Sequence, residues 1–342
     1  MKKIALFSSD ATTLYKKDVF RIMGLQEEFV IHFRYGTEHL SMSLDEFKKA
    51  KGKSVLIFYT NGNDLAVDIN ARQITNIPLR EAEIVDLIDA SDTGLVHAYL
   101  KLKGFINCDF QFPVANQQPP HKWVTEIEVT NEKPTTWHER VTALKPYFPN
   151  QLFYKIEIFN KEHSEKISPM YSTEQTNSFY TLSDESDYLI DVSYYDTAQT
   201  HSPASQKLEI SSEDKTSLKI NAPQIIDVGA RRDNRNYNLY TQALSSQSSY
   251  SYLNFKTVQN NPATILENDI QLAFQIGKNK LRAFWFSLYT VLAAISVGYS
   301  KIISDKWDLF GSFDCALCLH SIFALALGLF SFYKLYQLFN KK

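Results

Sequence analysis

The chain has 342 residues, 44% hydrophobic and 22% charged, with a formal net charge of −2, which is room for two ordinary domains and a sizeable core. Lys278–Lys342 holds eight Lys or Arg against three Asp, leaving 28 basic and 35 acidic residues in 1–277. An acidic body excludes general binding to a nucleic-acid backbone, and three cysteines (Cys108, Cys315, Cys318) are too few for a disulfide framework.

The first residues, "MKKIALFSSDATTLYKKD", carry two lysines but an apolar run of only about five, against roughly 7–15 for a secretory leader. The expectation is an N-terminus that stays on the side where it is made. In "EEFVIHFRYG", Phe29, Ile31, Phe33 and Tyr35 alternate with Val30, His32 and Arg34, as in a strand with one buried face. Ser43–Gly52 reads as a short helix, with Ser43 as N-cap, Glu46 in the capping-box position and Gly52 as the stop. "KSVLIFYTNGND" is a strand running into the hairpin dipeptide Asn61-Gly62. Two more strands flank Asp92-Thr93-Gly94. Residues 1–116 are therefore expected to form a small β-barrel or strongly curved sheet. "VANQQPPHK" (Val114–Lys122) breaks the pattern and marks a domain boundary.

From 121 to 260, eight or nine short strands with turn-rich spacers and no convincing helix predict an immunoglobulin-like β-sandwich. In 261–282, Asn261 can cap and Pro262 suits a first helical position. Ile265, Leu266, Ile270, Ala273, Phe274 and Ile276 recur at helical spacing, so a stalk helix is expected.

Ala283–Ser300 is eighteen residues without a charge, and Cys315–Tyr333 is nineteen with His320 as its main titratable group. Runs of about 18 or more read as transmembrane helices. The expected layout is spans at 283–303 and 315–335, an outer loop at 304–314 and a basic tail at 336–342. Lys278, Lys280 and Arg282 precede the first span, and Lys334, Lys341 and Lys342 follow the second. Lys301 and Lys306 lie between them, which predicts both termini in the cytoplasm. Small residues four apart, Ala294 with Gly298 and Ala324 with Gly328, suit close helix packing within the hairpin or between protomers.

Catalytic signatures are missing. "AKGKSV" ends like a phosphate-binding loop, but Phe47 stands where the motif needs glycine. The histidines are scattered. In "FDCALCLHS", Leu319 separates Cys318 from His320, which departs from the haem-attachment spacing, and a zinc site lacks further ligands. Cys315 and Cys318 are therefore packing residues of the second span, with a disulfide as the other reading. No cofactor or metal is expected. Arg231, Arg232 and Arg235 in "GARRDNRNY" are candidates for holding a phosphate or lipid headgroup, against a plain strand-end turn whose arginines pair locally.

The sequence thus points to a membrane-anchored, non-catalytic sensor or adaptor with a large cytosolic β-rich body. Its partners would be the bilayer, a cytosolic protein or small anionic ligand, and further copies of itself. A membrane effector whose hairpin assembles to perturb the bilayer, resembling bacterial antiviral effectors in layout only, is the alternative. A tethered enzyme acting on an anionic substrate is the third reading.

Overall fold

The computed structural model describes residues 1–64, 73–114, 117–161, 164–174, 176–198, 207–214, 216–228, 232–244, 248–258, 266–310, 326–331 and 333–334. The chain is mainly β, with several sheets. Its contacts define two units. One comprises Met1–Leu182, Ser186–Gln242 and Ser249–Ile276, and the other Ser183–Glu185, Ala243–Ser248 and Gly277–Lys342.

The first unit begins with β1 (Lys2–Ser9), α1 (Thr13–Gly24), β2 (Val30–Gly36), α2 (Leu44–Lys48) and β3 (Ser54–Asn61). Then come β4 (Thr75–Ala90), β5 (Leu95–Gln111), β6 (Val124–Pro134) and α3 (Trp137–Leu144). These strands form a six-stranded sheet in the order β2-β5-β4-β3-β1-β6, and β5 also pairs with β6. That last pairing closes a ring. It is possible because β5 is 17 residues long: Leu95–Phe105 pairs with β4, while Ile106–Gln111 reaches β6. Register shifts at Arg80/Ala82, Ile84/Asp86 and Asn107/Asp109 bend the strands along the way. Inside lie Ala5, Phe7, Leu56, Phe58, Ile106, Cys108, Ile127 and Val129, with Phe7 stacked on Phe58 at 5.1 Å. β1 and β3 run parallel, the rest antiparallel.

The strand predicted at 29–36 has its expected buried face, and Val30 is buried as well. The Ser43/Glu46 capping box forms, and Gly52 takes φ +79° just after α2. The turn at Asp92-Thr93-Gly94 also stands where expected. Asn61-Gly62 is not a two-residue hairpin, because Asn61 already pairs with Thr75 across a longer connection. Gly62, at φ +97°, is instead required by a close approach: a Cβ there would sit 2.3 Å from the Gln73 carbonyl oxygen.

The expected boundary at 116–121 is corrected. β6 follows it in sequence yet pairs with β1 (Lys2↔Glu128 to Leu6↔Val124) and completes the ring. Two helices were unforeseen. Thr12 caps α1, whose Val19, Phe20, Ile22 and Met23 are buried. Thr136 and Glu139 form a capping box on α3. Arg80 is fully buried behind α1; its Nη1 donates to the carbonyls of Ile22 (2.8 Å) and Leu25 (2.6 Å), and its Nε to that of Lys103 (2.5 Å). Trp137 Nε1 donates to Met23 O at 2.9 Å, tying α3 to the same helix end.

The strands that follow are β7 (Leu152–Asn160), β8 (Met170–Ser172), β9 (Asn177–Ser183), β10 (Asp187–Asp196) and β11 (Lys207–Ser212). They continue as β12 (Leu218–Asn221), β13 (Ile225–Asp227), β14 (Arg232–Thr241), β15 (Ser248–Val258) and β16 (Asp269–Gly277). One sheet runs β12-β14-β10-β7 and the other β13-β11-β15-β16-β9-β8. Buried Tyr154 on β7 donates its hydroxyl to Phe255 O on β15 at 2.6 Å, so the two sheets meet face to face there. Gly24 lets α1 abut this layer, since a Cβ would lie 2.8 Å from Tyr154 O.

The stalk helix is overturned at 269–277, which is β16; 261–265 lie outside the described residues. Ile270, Leu272, Phe274 and Ile276 alternate and are each at most 2% exposed. Period two prevails because β15 and β9 bond both edges of this strand.

The second unit holds α4 (Lys280–Phe310) and a helical segment at 326–331. Asp184 accepts the Asn279 N–H at 2.8 Å, just before α4. Gly328 sits against α4: a Cβ on it would be 2.8 Å from Ser296 Oγ. Ala293, Ser296 and Ser331 are buried and Tyr289 meets Phe330 at 6.1 Å, so the two helical pieces pack together.

Gly298 and Ala294 do not make this contact with Gly328. Gly298 is exposed, and a Cβ built on it would meet nothing within 4 Å among the described residues. Ala294 is exposed as well. The physical reason is helical phase: Ala293 and Ser296 define the buried side of α4, and Gly298 lies two residues beyond Ser296, about 200° around the axis. Cys315, Cys318 and Ala324 lie outside the described residues. Among those described, no helix is long and apolar enough to cross a membrane.

Candidate ligand-binding site

The loop from β1 to α1 is pinned from several sides. Asp10 is buried, and its carboxylate accepts the N–H groups of Gly62 (2.9 Å) and Asn63 (2.7 Å) beyond the end of β3. Ser9 Oγ accepts from Ala11 N, and Ser8 Oγ donates to Tyr15 O at 2.9 Å. These bonds fix the start of α1. With Phe20 and Met23 turned to the core, Leu14, Tyr15, Asp18 and Arg21 face a cleft whose far wall is β2.

The cleft encloses about 410 Å³, within the usual range for small-molecule sites. Its apolar walls include Phe7, Phe33, Tyr35 and Trp123, and its polar groups include Arg21, His32 and Arg34. A second cavity of about 380 Å³ adjoins it, and Arg21 and His32 line both. The second is more polar, with Thr176, Asn177, Asn254 and Gln271 around it.

His32 is tightly held. Its Nε2 lies 2.8 Å from His97 Nδ1, and its ring stacks on both His97 and Tyr99 at 4.9 Å. The sheet produces this directly, because His32 pairs across from Tyr99, and His97 lies two residues along β5 on the same face. One of the two facing nitrogens must donate and the other accept, so the contact cannot survive with both rings protonated. Burial pushes the His32 pKa down, and His97, Arg21 and Arg34 lower it further by repulsion. Burial raises the Asp18 carboxyl pKa, with Arg21 opposing; the two lie 3.5 Å apart. Tyr35 donates to Phe7 O at 3.3 Å, and burial holds its pKa well above the phenolic norm. The site therefore offers aromatic surface beside two guanidiniums and a neutral imidazole. Nothing in it pairs a nucleophile with a base, and no group of three or more metal-ligating side chains occurs among the described residues.

No family model matches this chain, and no curated protein does either. Among solved structures, the N-terminal domain of PorA is 11% identical, covering 35% of this chain and 96% of that one, with a TM-score of 0.20. The VesB protease of Vibrio cholerae is 7% identical, covering 74% and 96%, also with a TM-score of 0.20. Likenesses this weak carry no argument about fold or activity.

The arginine cluster expected from sequence is not one site. Arg232 and Arg235 stand three apart on β14 and so project to opposite faces. Arg232 lies over the Tyr195 ring at 5.0 Å, and Arg235 Nε donates to Asp233 at 2.7 Å. Arg231 lies outside the described residues. Sequence reading missed the cleft because its cations come from different elements, Arg21 from α1 and Arg34 from β2. The available signal was Thr12 followed by Phe20 and Met23 at helical spacing, which marks α1 and places Arg21 on its polar side.

Proposed function

We propose that this is a membrane-anchored, non-catalytic sensor, in which a small closed barrel and an immunoglobulin-like sandwich form a cytosolic binding body. A C-terminal transmembrane hairpin holds it at the bilayer. The observation that carries the anchoring is the inverted surface of the second unit. Phe284, Trp285, Phe286, Val291, Ile295, Val297, Leu329 and Phe330 are exposed, while the contact between the helices is made by Ala293, Ser296, Gly328 and Ser331. In water that arrangement is costly, because each exposed large apolar side chain forgoes roughly 1.5–3 kcal/mol of burial. In hydrocarbon it is the favoured one, since small residues bring backbones close and large ones meet lipid. Two uncharged runs of eighteen and nineteen residues, with basic flanks, support two spans with both ends inside. The contact of Gly328 with Ser296 supports a hairpin closed within one chain, and so an anchor. The cleft between α1 and β2 supports the sensing role.

Alkaline carbonate extraction of full-length protein tests the anchor, with a reporter fused after Lys342 to test sidedness. Retention in the pellet with a cytoplasmic reporter is the expected result. Release into the supernatant, or a reporter active only outside, overturns it.

A further inference from the structure

We propose that the cleft between α1 and β2 binds a small organic anion carrying an aromatic ring, its charge seated against Arg21 and Arg34 and its ring against the aromatic wall. The inference deepens the sensor reading above and rests on it for the ligand's role, though not for its chemistry.

Size comes first. About 410 Å³ admits a molecule of one or two rings and excludes a folded partner. Composition comes next. Tyr15 on α1, which is exposed, and half-buried Trp123 just before β6 supply ring surface from two sides, which a compact planar group can contact together. Charge is the third observation. Two guanidiniums face the space and only Asp18 opposes them, itself loosely paired with Arg21 at 3.5 Å. Among the described residues no carboxylate forms a salt bridge with Arg34, which is exposed. Burial and then His97 lower the His32 pKa most, and the two guanidiniums add a smaller repulsion in the same direction. An incoming carboxylate or phosphate relieves that repulsion and gains charge-assisted hydrogen bonds, with bidentate geometry open to it.

Placement completes the argument. Arg21 and His32 form the wall between the two cavities. An anionic group against that wall leaves the ring on the aromatic side, and beyond the wall the second cavity is lined by Asn177, Asn254, Gln271 and Asp269. Nucleotides and aromatic carboxylates share the required chemistry.

The test is calorimetric titration of the full-length protein in detergent with adenosine 5′-monophosphate and with indole-3-acetate. Adenosine and inorganic phosphate serve as the two halves taken separately. At least one aromatic anion is expected to bind saturably, and each half at least about tenfold more weakly. Arg21→Gln and Arg34→Gln are each expected to weaken that binding about tenfold or more. Lys51→Gln, which removes a salt bridge to Asp86 outside the cleft, leaves it unchanged. Both arginine side chains have solvent exposure, so unchanged circular dichroism is expected; Tyr15→Ala gives a second probe of the same wall. Tighter binding of the nucleotide assigns the source to that class, and tighter binding of indole-3-acetate to aromatic carboxylates. Binding of neither probe, or binding untouched by all three cleft substitutions, overturns the proposal. Carbonate extraction is read independently, so a failed titration leaves the anchor standing and a failed extraction leaves the site standing.

Discussion

The β-rich unit and the helical C-terminal unit solve burial in opposite ways. In the first, Phe7, Phe20, Phe58 and Phe274 are each at most 2% exposed, and most charges lie outside. In the second, Phe284, Phe286 and Phe330 are at least 40% exposed, and what the described helical residues hide is serine, alanine and glycine. The same residue type sits on opposite sides of its unit, and that inversion is what the proposed anchor accounts for.

Substitutions at three places probe that contrast, the largest effect first. Arg80 is the largest of the charged side chains fully buried in the first unit: a cation held by three carbonyls and lying over the Phe105 ring at 4.5 Å. Burial lowers its pKa to about 10, with Glu27 and Glu157 opposing. Arg80→Ala leaves the end of α1 unbonded and opens a cavity. It should cost about 3–5 kcal/mol in denaturant midpoint at unchanged m-value. A loss below about 1 kcal/mol would mean the unit does not depend on this clamp.

Ile295→Lys tests the other side. If the exposed face of α4 meets hydrocarbon, a lysine there costs about 2–3 kcal/mol of insertion, read as a smaller pelleted fraction after carbonate extraction. Were the face in water, the substitution would raise solubility and leave extraction unaffected.

The smallest effect is at the α3 capping box. Thr136→Ala should cost about 1 kcal/mol in thermal stability. Glu139 accepts hydrogen bonds from the Thr135 hydroxyl and from Thr136, and these lower its pKa from 4.5 to about 2. A pKa depressed by folding means stabilisation present above pH 4.5 and lost as pH falls toward about 2. Melting curves of wild type and Glu139→Gln should therefore differ above pH 5 and converge near pH 2. A constant difference across that range would show that the charge contributes nothing.

How legible each part was follows from the range of its interactions. The α2 cap was readable because Ser43 and Glu46 contact each other three residues apart. The Asp92-Thr93-Gly94 turn needed only local backbone freedom. β16 was misread because Ile270, Phe274 and Ile276 satisfy both helical and strand spacing, and only the bonds of β15 and β9 on either side decide between them. The 116–121 boundary failed for the same reason: proline-rich residues signal a turn, not whether the next strand returns to the sheet it left. Small residues at 294 and 298 mark where a helix could be approached closely, yet Gly298 stands clear and the approach is made at Ser296. In the cleft, nothing local links Arg21 to Arg34. In β14 the reverse occurred, as neighbours in sequence were split by the pleat.

By itself the sequence determined the β-rich composition, most strand positions, the acidic body and the two uncharged C-terminal runs, because these depend on residue type and short-range spacing. Tertiary structure alone decided that β5 and β6 close a ring, that 269–277 is a strand, and that Ser296 rather than Ala294 or Gly298 meets the helix at Gly328. It alone brought Arg21, His32 and Arg34 to one cleft. Each of these depends on which distant segment supplies a hydrogen bond or fills a surface, and one stretch of chain does not carry that information.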